Sequence, residues 1–124
     1  MALPDFSDLF GIPFARGGRG PDSYDCYGLV REMFARAGKE IPDFESPGTL
    51  EEVADIVTDG SRKFTPVPAG TPGSLVTFRV EGIGAHVGFV LDENSFLHTT
   101  QGTGVCVERL NNSGFRPIGF YDYV

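Results

Sequence analysis

The chain has 124 residues, of which 40% are hydrophobic and 22% are charged. These values fit one compact domain, so we expect a single domain over residues 1–124. The net charge of −7 argues against a nucleic-acid-binding protein, which usually carries a basic patch. The sequence shows no secretory signal and no segment long enough for membrane insertion. We therefore expect synthesis and folding in a reducing cytoplasm.

A glycine-rich loop opens the chain. We expect residues 1–25 to be loop, with one short helical turn from Ser7 to Phe10. The stretch from Ala15 to Ser23 has neither a Walker nor a GxGxxG pattern, so it is not a convincing phosphate-binding motif. We interpret it as a shaped surface loop.

Two helices are predicted after this loop. The first runs from Cys26 to Ala37, because its apolar residues recur at helical spacing and Gly38 follows as a C-terminal cap. The second runs from Leu50 to Thr58, where Thr49 and Glu52 form a capping box. Three polar residues precede the first helix as candidate N-caps: Asp22, Ser23 and Asp25.

The second half of the chain has the sequence pattern of β-strands. Prolines exclude a helix between residues 66 and 72, and turn residues then separate short runs rich in β-branched and aromatic residues. The predicted strands are Ser74–Val80, Ala85–Leu91, Ser95–Thr100, Val105–Leu110 and Ile118–Tyr123. Helices followed by an antiparallel meander predict an α+β domain, with the helices packed on one sheet.

Cys26 is the first candidate for chemistry. It opens a predicted helix, and the free N–H groups and dipole at a helix start stabilise a thiolate. The alternative is a small buried hydrophobe, which is the commoner role of a cysteine. On position alone the packing role is favoured. Cys106 lies in a strand-like run without a motif, and we interpret it as structural.

The chain has only two histidines, His86 and His98, separated by a predicted hairpin turn. A cysteine peptidase needs an imidazole beside the thiol and a third group that orients the imidazole, so these residues can complete the set with Cys26. Singly, each histidine is more often structural. A two-residue turn would place the two side chains on opposite faces of the sheet. A turn with an odd number of residues would place them on one face but offset along the strands, so a bulge or a strong twist would still be needed to bring them together.

A zinc site is the rival interpretation of two histidines and a cysteine. The expected fourth ligand and the close ligand pairs of a zinc site are missing from the sequence. We therefore expect no metal and no cofactor.

Four segments, taken in order, resemble the NlpC/P60 peptidases of the papain-like superfamily. Residues 24–30, YDCYGLV, resemble the nucleophile motif, and residues 71–78, TPGSLVTF, resemble a strand motif of that family. Residues 85–91, AHVGFVL, and 95–99, SFLHT, resemble the two histidine segments. The resemblance implies a papain-like α+β core, in which the cysteine helix packs on a small antiparallel sheet or open barrel.

The resemblance also implies an activity. It indicates a thiol protease that hydrolyses amide bonds in peptidoglycan stem peptides, commonly beside D-glutamate and often at its γ-linkage to diaminopimelate or lysine. Cys26 would be the nucleophile, His86 the base and His98 the orienting residue. Asp25 matches a position that binds the free amino end of the stem peptide in some members, and a helix N-cap is an equally good interpretation.

The neighbours of the motif are further candidates. Tyr24 and Tyr27 join Asp25 as expected substrate-binding residues, and Tyr27, which replaces the usual serine, would narrow the cleft. Residues 11–21 resemble the stand-alone members of tailed phages and prophages, so we expect association with the virion tail, with peptidoglycan and other tail proteins as partners. Two alternatives stay open: a non-enzymatic tail component that keeps the fold, and another amidase or acyltransferase that uses the same triad.

Overall fold

A six-stranded antiparallel sheet and one helix form the frame of the computed structural model. The structure describes residues 3–43, 51–52, 64–80, 84–111 and 114–123. Helix α1 is Cys26–Arg36, and the strands are β1 Phe64–Pro66, β2 Leu75–Val80, β3 Gly84–Asp92, β4 Ser95–Thr100, β5 Gly104–Arg109 and β6 Phe115–Tyr123. The sheet order is β1-β6-β2-β3-β4-β5, so β1 and β5 are the edge strands. The N-terminal segment makes backbone hydrogen bonds to β5, between Gly11 or Ile12 and Val105. The predicted α+β class is confirmed.

Both ends of α1 follow from their capping residues. Asp25 is the N-cap, and its carboxylate accepts a hydrogen bond from the backbone N–H of Gly28. At the other end, Gly38 adopts a φ of 86°, which an L-residue with a side chain rarely adopts, and its N–H donates to the carbonyl of Ala35. The predicted helix is therefore confirmed, and Asp25 is the N-cap among the three candidates.

Three further elements were predicted or missed in the first 66 residues: a short turn, a second helix and strand β1. The short turn is observed as a 3-10 helix at Ser7–Leu9. Of the second predicted helix, only Glu51 and Glu52 belong to the described residues, and both are helical; the rest of Leu50–Thr58 lies outside them. Strand β1 was not predicted, and Pro66 is tolerated there because β1 is an edge strand. Within the described ranges, no helix is long and apolar enough to cross a membrane.

The last strand corrects the meander prediction. Strands β2 to β5 do pair consecutively, but β6 pairs with β2 and β1 rather than with β5. It also begins at Phe115, three residues before the predicted start at Ile118. The physical reason is aromatic packing: Phe115 and Phe120 join an apolar cluster with Phe78 of β2, and pairing of β6 with β2 brings them there.

Apolar residues form two clusters. One cluster joins α1 to the sheet, for example through the edge-to-face pair of Phe34 and Phe89. The other includes Phe78, Phe96 and Phe115, on β2, β4 and β6. The rings of Phe96 and Phe115 are 5.9 Å apart, although their strands are three positions apart, or about 14 Å in a flat sheet. The sheet therefore curls around this second cluster.

Candidate active site

The start of α1 is held by a buried carboxylate. Asp25 is 4% exposed, and its Oδ1 accepts from the N–H of Gly28 at 2.7 Å and from Nη1 of Arg19 at 2.6 Å. Its Oδ2 accepts from the N–H of Gly17 at 3.1 Å. Arg19 also donates to the carboxylate of Asp43 at 2.8 Å. These bonds fasten the glycine-rich loop to the helix start, so the expected shaped loop is confirmed.

Gly28 is required by this close packing. A Cβ at this position would lie 2.1 Å from the carbonyl oxygen of Gly18, a separation that no real contact allows. That same carbonyl accepts the backbone N–H of Asp25 at 3.1 Å. A glycine two residues after the cysteine therefore lets the loop lie directly on the first helical turn.

Cys26 is the first residue of α1, as predicted, and it is 8% exposed. It belongs to the apolar cluster between α1 and the sheet and forms no disulfide. The helix packs against β3 and β4, which are the strands that carry the two histidines. The N–H groups of the first turn and the helix dipole favour negative charge at this position.

The structure brings His86 and His98 into direct contact. Nε2 of His86 lies 2.9 Å from Nδ1 of His98, which is a hydrogen bond between two buried rings. The residues are only 5% and 2% exposed. This contact leaves Nδ1 as the unused nitrogen of His86 within the pair.

A β-bulge creates the contact. Asp92 pairs with Ser95 across a two-residue turn, and the register then shifts by one residue before Val90 pairs with Phe96. Because side chains alternate faces, a regular two-residue hairpin would put the histidines on opposite faces of the sheet. The extra residue, Leu91, puts them on one face, where they are diagonal neighbours within reach of each other.

Aromatic rings enclose the histidine pair. Phe115 stacks on His86 with ring centroids 5.7 Å apart and meets His98 edge-on at 5.2 Å. Phe96 and Phe78 lie against His98 and His86 at 4.7 Å and 6.1 Å. Phe115 was not predicted as a site residue, because the predicted last strand began at Ile118 rather than at Phe115. Extending that strand backwards over residues 115–117 would have revealed it.

Burial sets the protonation state of the pair. Desolvation, followed by the charge of His98, lowers the pKa of His86 to about 3. Desolvation lowers the pKa of His98 to about 4. Both imidazoles are therefore neutral at pH 7, when one nitrogen of each ring carries a proton and the other accepts.

Both predicted tyrosines are buried. Tyr24 is 3% exposed and Tyr27 is 1% exposed. The hydroxyl of Tyr27 donates to the carbonyl of Pro42, and the guanidinium of Arg19 lies 5.9 Å from its ring centre. The hydrogen bond that Asp25 accepts from Gly28 is the one expected of a helix N-cap. Substrate contacts of these three residues stay predictions.

Cys106 lies closer to the histidines than its sequence context indicated. Its Sγ is 3.6 Å from Nε2 of His98, because the two residues are direct partners across β4 and β5. A three-residue turn over residues 101–103, which pairs Thr100 with Gly104, places residue 106 opposite residue 98. The predicted strands, paired from their ends at residues 100 and 105, would have placed residue 107 there.

A buried cysteine at a helix start and a coupled histidine pair on antiparallel strands lie together in an α+β fold. The family model described as NlpC/P60 family matches residues 11–120. The chain belongs to the NlpC/P60 family.

Individual relatives agree with this assignment. The chain is 27% identical over 110 residues to the murein DD-endopeptidase MepS/murein LD-carboxypeptidase of Escherichia coli, covering 88% of this chain and 53% of the relative. It is 27% identical over 105 residues to the probable endopeptidase p60 of Listeria monocytogenes, covering 85% and 19%. The chain thus spans about half or less of these relatives' lengths. An NlpC/P60 family protein of Bacillus cereus shares the fold, with a TM-score of 0.68, 20% identity, and coverage of 98% of this chain and 41% of that one.

Proposed function

We propose that the protein is a cysteine endopeptidase that hydrolyses amide bonds in peptidoglycan. The observation that carries the proposal is the buried hydrogen bond between His86 and His98, on strands against which the cysteine helix packs. The names of the E. coli and Listeria relatives, a murein endopeptidase and an endopeptidase, support the reaction class. Murein is peptidoglycan, which supports the substrate class.

In the first step, Cys26 attacks the scissile carbonyl while His86 accepts the thiol proton. Neutral His86 carries its proton on Nε2, which donates to Nδ1 of His98, so its Nδ1 is the free base. Because Nδ1 of His98 accepts this hydrogen bond, neutral His98 carries its own proton on Nε2. The backbone N–H of Cys26 at the helix start stabilises the developing oxyanion.

In the second step, protonated His86 gives the proton from Nδ1 to the leaving amine, and the C–N bond breaks. The acyl group is left as a thioester on Cys26. His86 then removes a proton from water, which attacks the thioester and releases the carboxylic acid and the thiol. His98 holds the ring of His86 throughout, through the 2.9 Å hydrogen bond.

Replacing the nucleophile tests the reaction. We expect Cys26→Ala to lower the release of new amino groups from purified peptidoglycan by about 10³-fold or more, because the attacking atom is lost. Cys106→Ser is the matched control, and it should stay within about tenfold of wild type. Equal rates for wild type and Cys26→Ala would contradict the peptidase proposal and favour the alternative of a non-enzymatic component.

The bond cleaved is a finer proposal. We infer cleavage beside D-glutamate, at its γ-linkage to diaminopimelate, and the support is the four-motif resemblance to the family. The E. coli relative is named for other bonds, as a DD-endopeptidase and LD-carboxypeptidase. Mass spectrometry of the products from defined stem peptides tests this inference. Cleavage of a D,D bond would contradict cleavage at the γ-linkage, and an acyl-transfer product would favour the acyltransferase alternative.

Delivery to the wall is the last part of the proposal. We propose that the protein is made in the cytoplasm and carried to the wall with a phage tail, next to other tail proteins. The support is the resemblance of residues 11–21 to stand-alone phage members. Mass spectrometry of purified phage particles from the producing strain tests this, and absence from particles that contain the other tail proteins would contradict it.

A further inference from the structure

We propose that the β4–β5 hairpin carries a Zn²⁺ site made of His98, Cys106 and Glu108, and that zinc bound there switches off the hydrolase. The binding half of this proposal stands on the cluster itself. The inhibitory half rests on the proposed function, because it acts through the histidine pair.

The hairpin register builds the site. His98 and Cys106 are direct cross-strand partners, and Glu108 is two residues further along β5, on the same face as Cys106. One ligand atom from each of the three lies within 4.8 Å of the others. An imidazole nitrogen, a thiol sulfur and a carboxylate oxygen are the three donor types that zinc uses in proteins.

The pair of Cys106 and His98 already has the spacing of a zinc site. With a Zn–N distance of about 2.05 Å and a Zn–S distance of about 2.3 Å, tetrahedral geometry separates the two ligand atoms by about 3.6 Å. The observed separation of Cys106 Sγ and His98 Nε2 is 3.6 Å. Because the carboxylate oxygen lies within 4.8 Å of both other ligand atoms, a shift of the Glu108 side chain brings it onto the metal, and a water molecule completes the four-coordinate site.

The site also has an entry path. His98 is 2% exposed, but Cys106 and Glu108 are half-buried on β5, the last strand in the sheet order. A metal ion therefore reaches the buried imidazole from the outer side, past the thiol and the carboxylate.

Zinc and catalysis need different tautomers of the same ring. Zinc takes the lone pair on Nε2 of His98, so the proton of that ring moves to Nδ1 and donates to Nε2 of His86. His86 then carries its own proton on Nδ1, the atom that must accept the proton of Cys26. The thiol of Cys106 releases one proton to solvent when it binds the metal. Zinc binding thus removes the general base.

This site departs from the expectation of no metal. A zinc motif in a sequence is a pair of ligands close together along the chain, whereas here the pair is formed across two strands. The spacing between residues 98 and 106 carries no zinc motif, and only the register makes them neighbours.

Calorimetric titration of Zn²⁺ tests the binding half. The titration uses the Cys26→Ala variant, because it lacks the competing thiol at the helix start. We expect this variant to bind one zinc ion per chain. Adding Cys106→Ala should abolish this binding, and adding Glu108→Gln should weaken it at least tenfold, while the exposed turn residue variant Glu93→Gln should leave it unchanged. Cadmium in place of zinc should give a thiolate charge-transfer absorption that depends on Cys106. Unchanged binding without Cys106 would overturn the site.

Inhibition tests the other half. Each variant's rate of peptidoglycan hydrolysis is normalised to its own zinc-free rate, and we expect Glu108→Gln to need at least tenfold more zinc than Glu93→Gln for half inhibition. Equal zinc sensitivity would overturn the switch while leaving the binding result intact. Loss of all hydrolysis in zinc-free wild type would instead contradict the proposed function, and calorimetry would still decide the metal site.

Discussion

At the scale of single residues, the environment of the two histidines decides their chemistry. An exposed histidine has a pKa of about 6.5 and is partly charged near neutral pH. Here burial lowers the pKa of His86 to about 3, so the ring enters the reaction as a neutral base. Phe115, stacked on His86 and edge-on to His98, supplies much of this apolar enclosure.

Opening the enclosure should raise both histidine pKa values. We expect Phe115→Ala to admit water to the rings and to move their pKa values upward toward 6.5, because hydration favours the charged form. Proton NMR titration measures this directly, since the chain has only two histidines. The control is Phe10→Ala, which removes a ring that is 50% exposed and lies against Phe6. Unchanged titration in the Phe115 variant would contradict the role given to this ring.

At the scale of elements, two local irregularities build the site. The bulge at Leu91 puts both histidines on one face of the β3–β4 hairpin. The contact between the glycine-rich loop and α1 holds the helix start, where Asp25 caps the helix and Gly28 leaves room for the loop. Both features position side chains that the sequence places far apart.

Filling the space at Gly28 should damage the helix start. We expect Gly28→Ala to lower the free energy of unfolding by about 2 kcal/mol, because the new Cβ overlaps the carbonyl of Gly18. Chemical denaturation measures it, and the activity should fall as the loop moves. Gly38→Ala is the control: it meets open space but keeps a φ of 86°, so it should cost only about 1 kcal/mol and leave activity intact. Equal stability of Gly28→Ala and wild type would contradict the close packing.

At the scale of the whole molecule, the buried histidines link folding to pH. In the unfolded chain both titrate near pH 6.5, whereas in the folded protein their pKa values are about 3 and about 4. Below pH 6.5 the unfolded state therefore binds more protons than the folded state, and acid favours unfolding. The stabilisation is fully present above pH 6.5 and is lost as the pH falls.

We expect the free energy of unfolding to fall between pH 6.5 and pH 4.5 by about 1 kcal/mol per pH unit for each histidine. Urea denaturation across this range measures the slope. The double variant His86→Gln/His98→Gln should show a much flatter profile, since its remaining acidic groups titrate mainly below this range. A wild-type profile as flat as that of the double variant would show that the histidines are not buried as neutral groups.

Much of the frame was predictable from local pattern. The helical spacing after Cys26, the cap at Gly38 and the turn residues that separate the short runs of β2 to β5 are properties of neighbouring residues, and α1 and these four strands are observed. Motifs in the same order predicted the family. The position of β6 was not predictable, because its pairing with β2 depends on aromatic contacts between residues distant in the chain.

The sequence alone determined which residues carry reactive groups: one cysteine at a helix start and the chain's only two histidines. The tertiary structure decided how the histidines meet. A one-residue bulge placed them on one face, curling of the sheet enclosed them in aromatic rings, and cross-strand register put Cys106 beside His98. The physical reason is that local sequence sets backbone preference, whereas register, curvature and burial depend on contacts between distant segments.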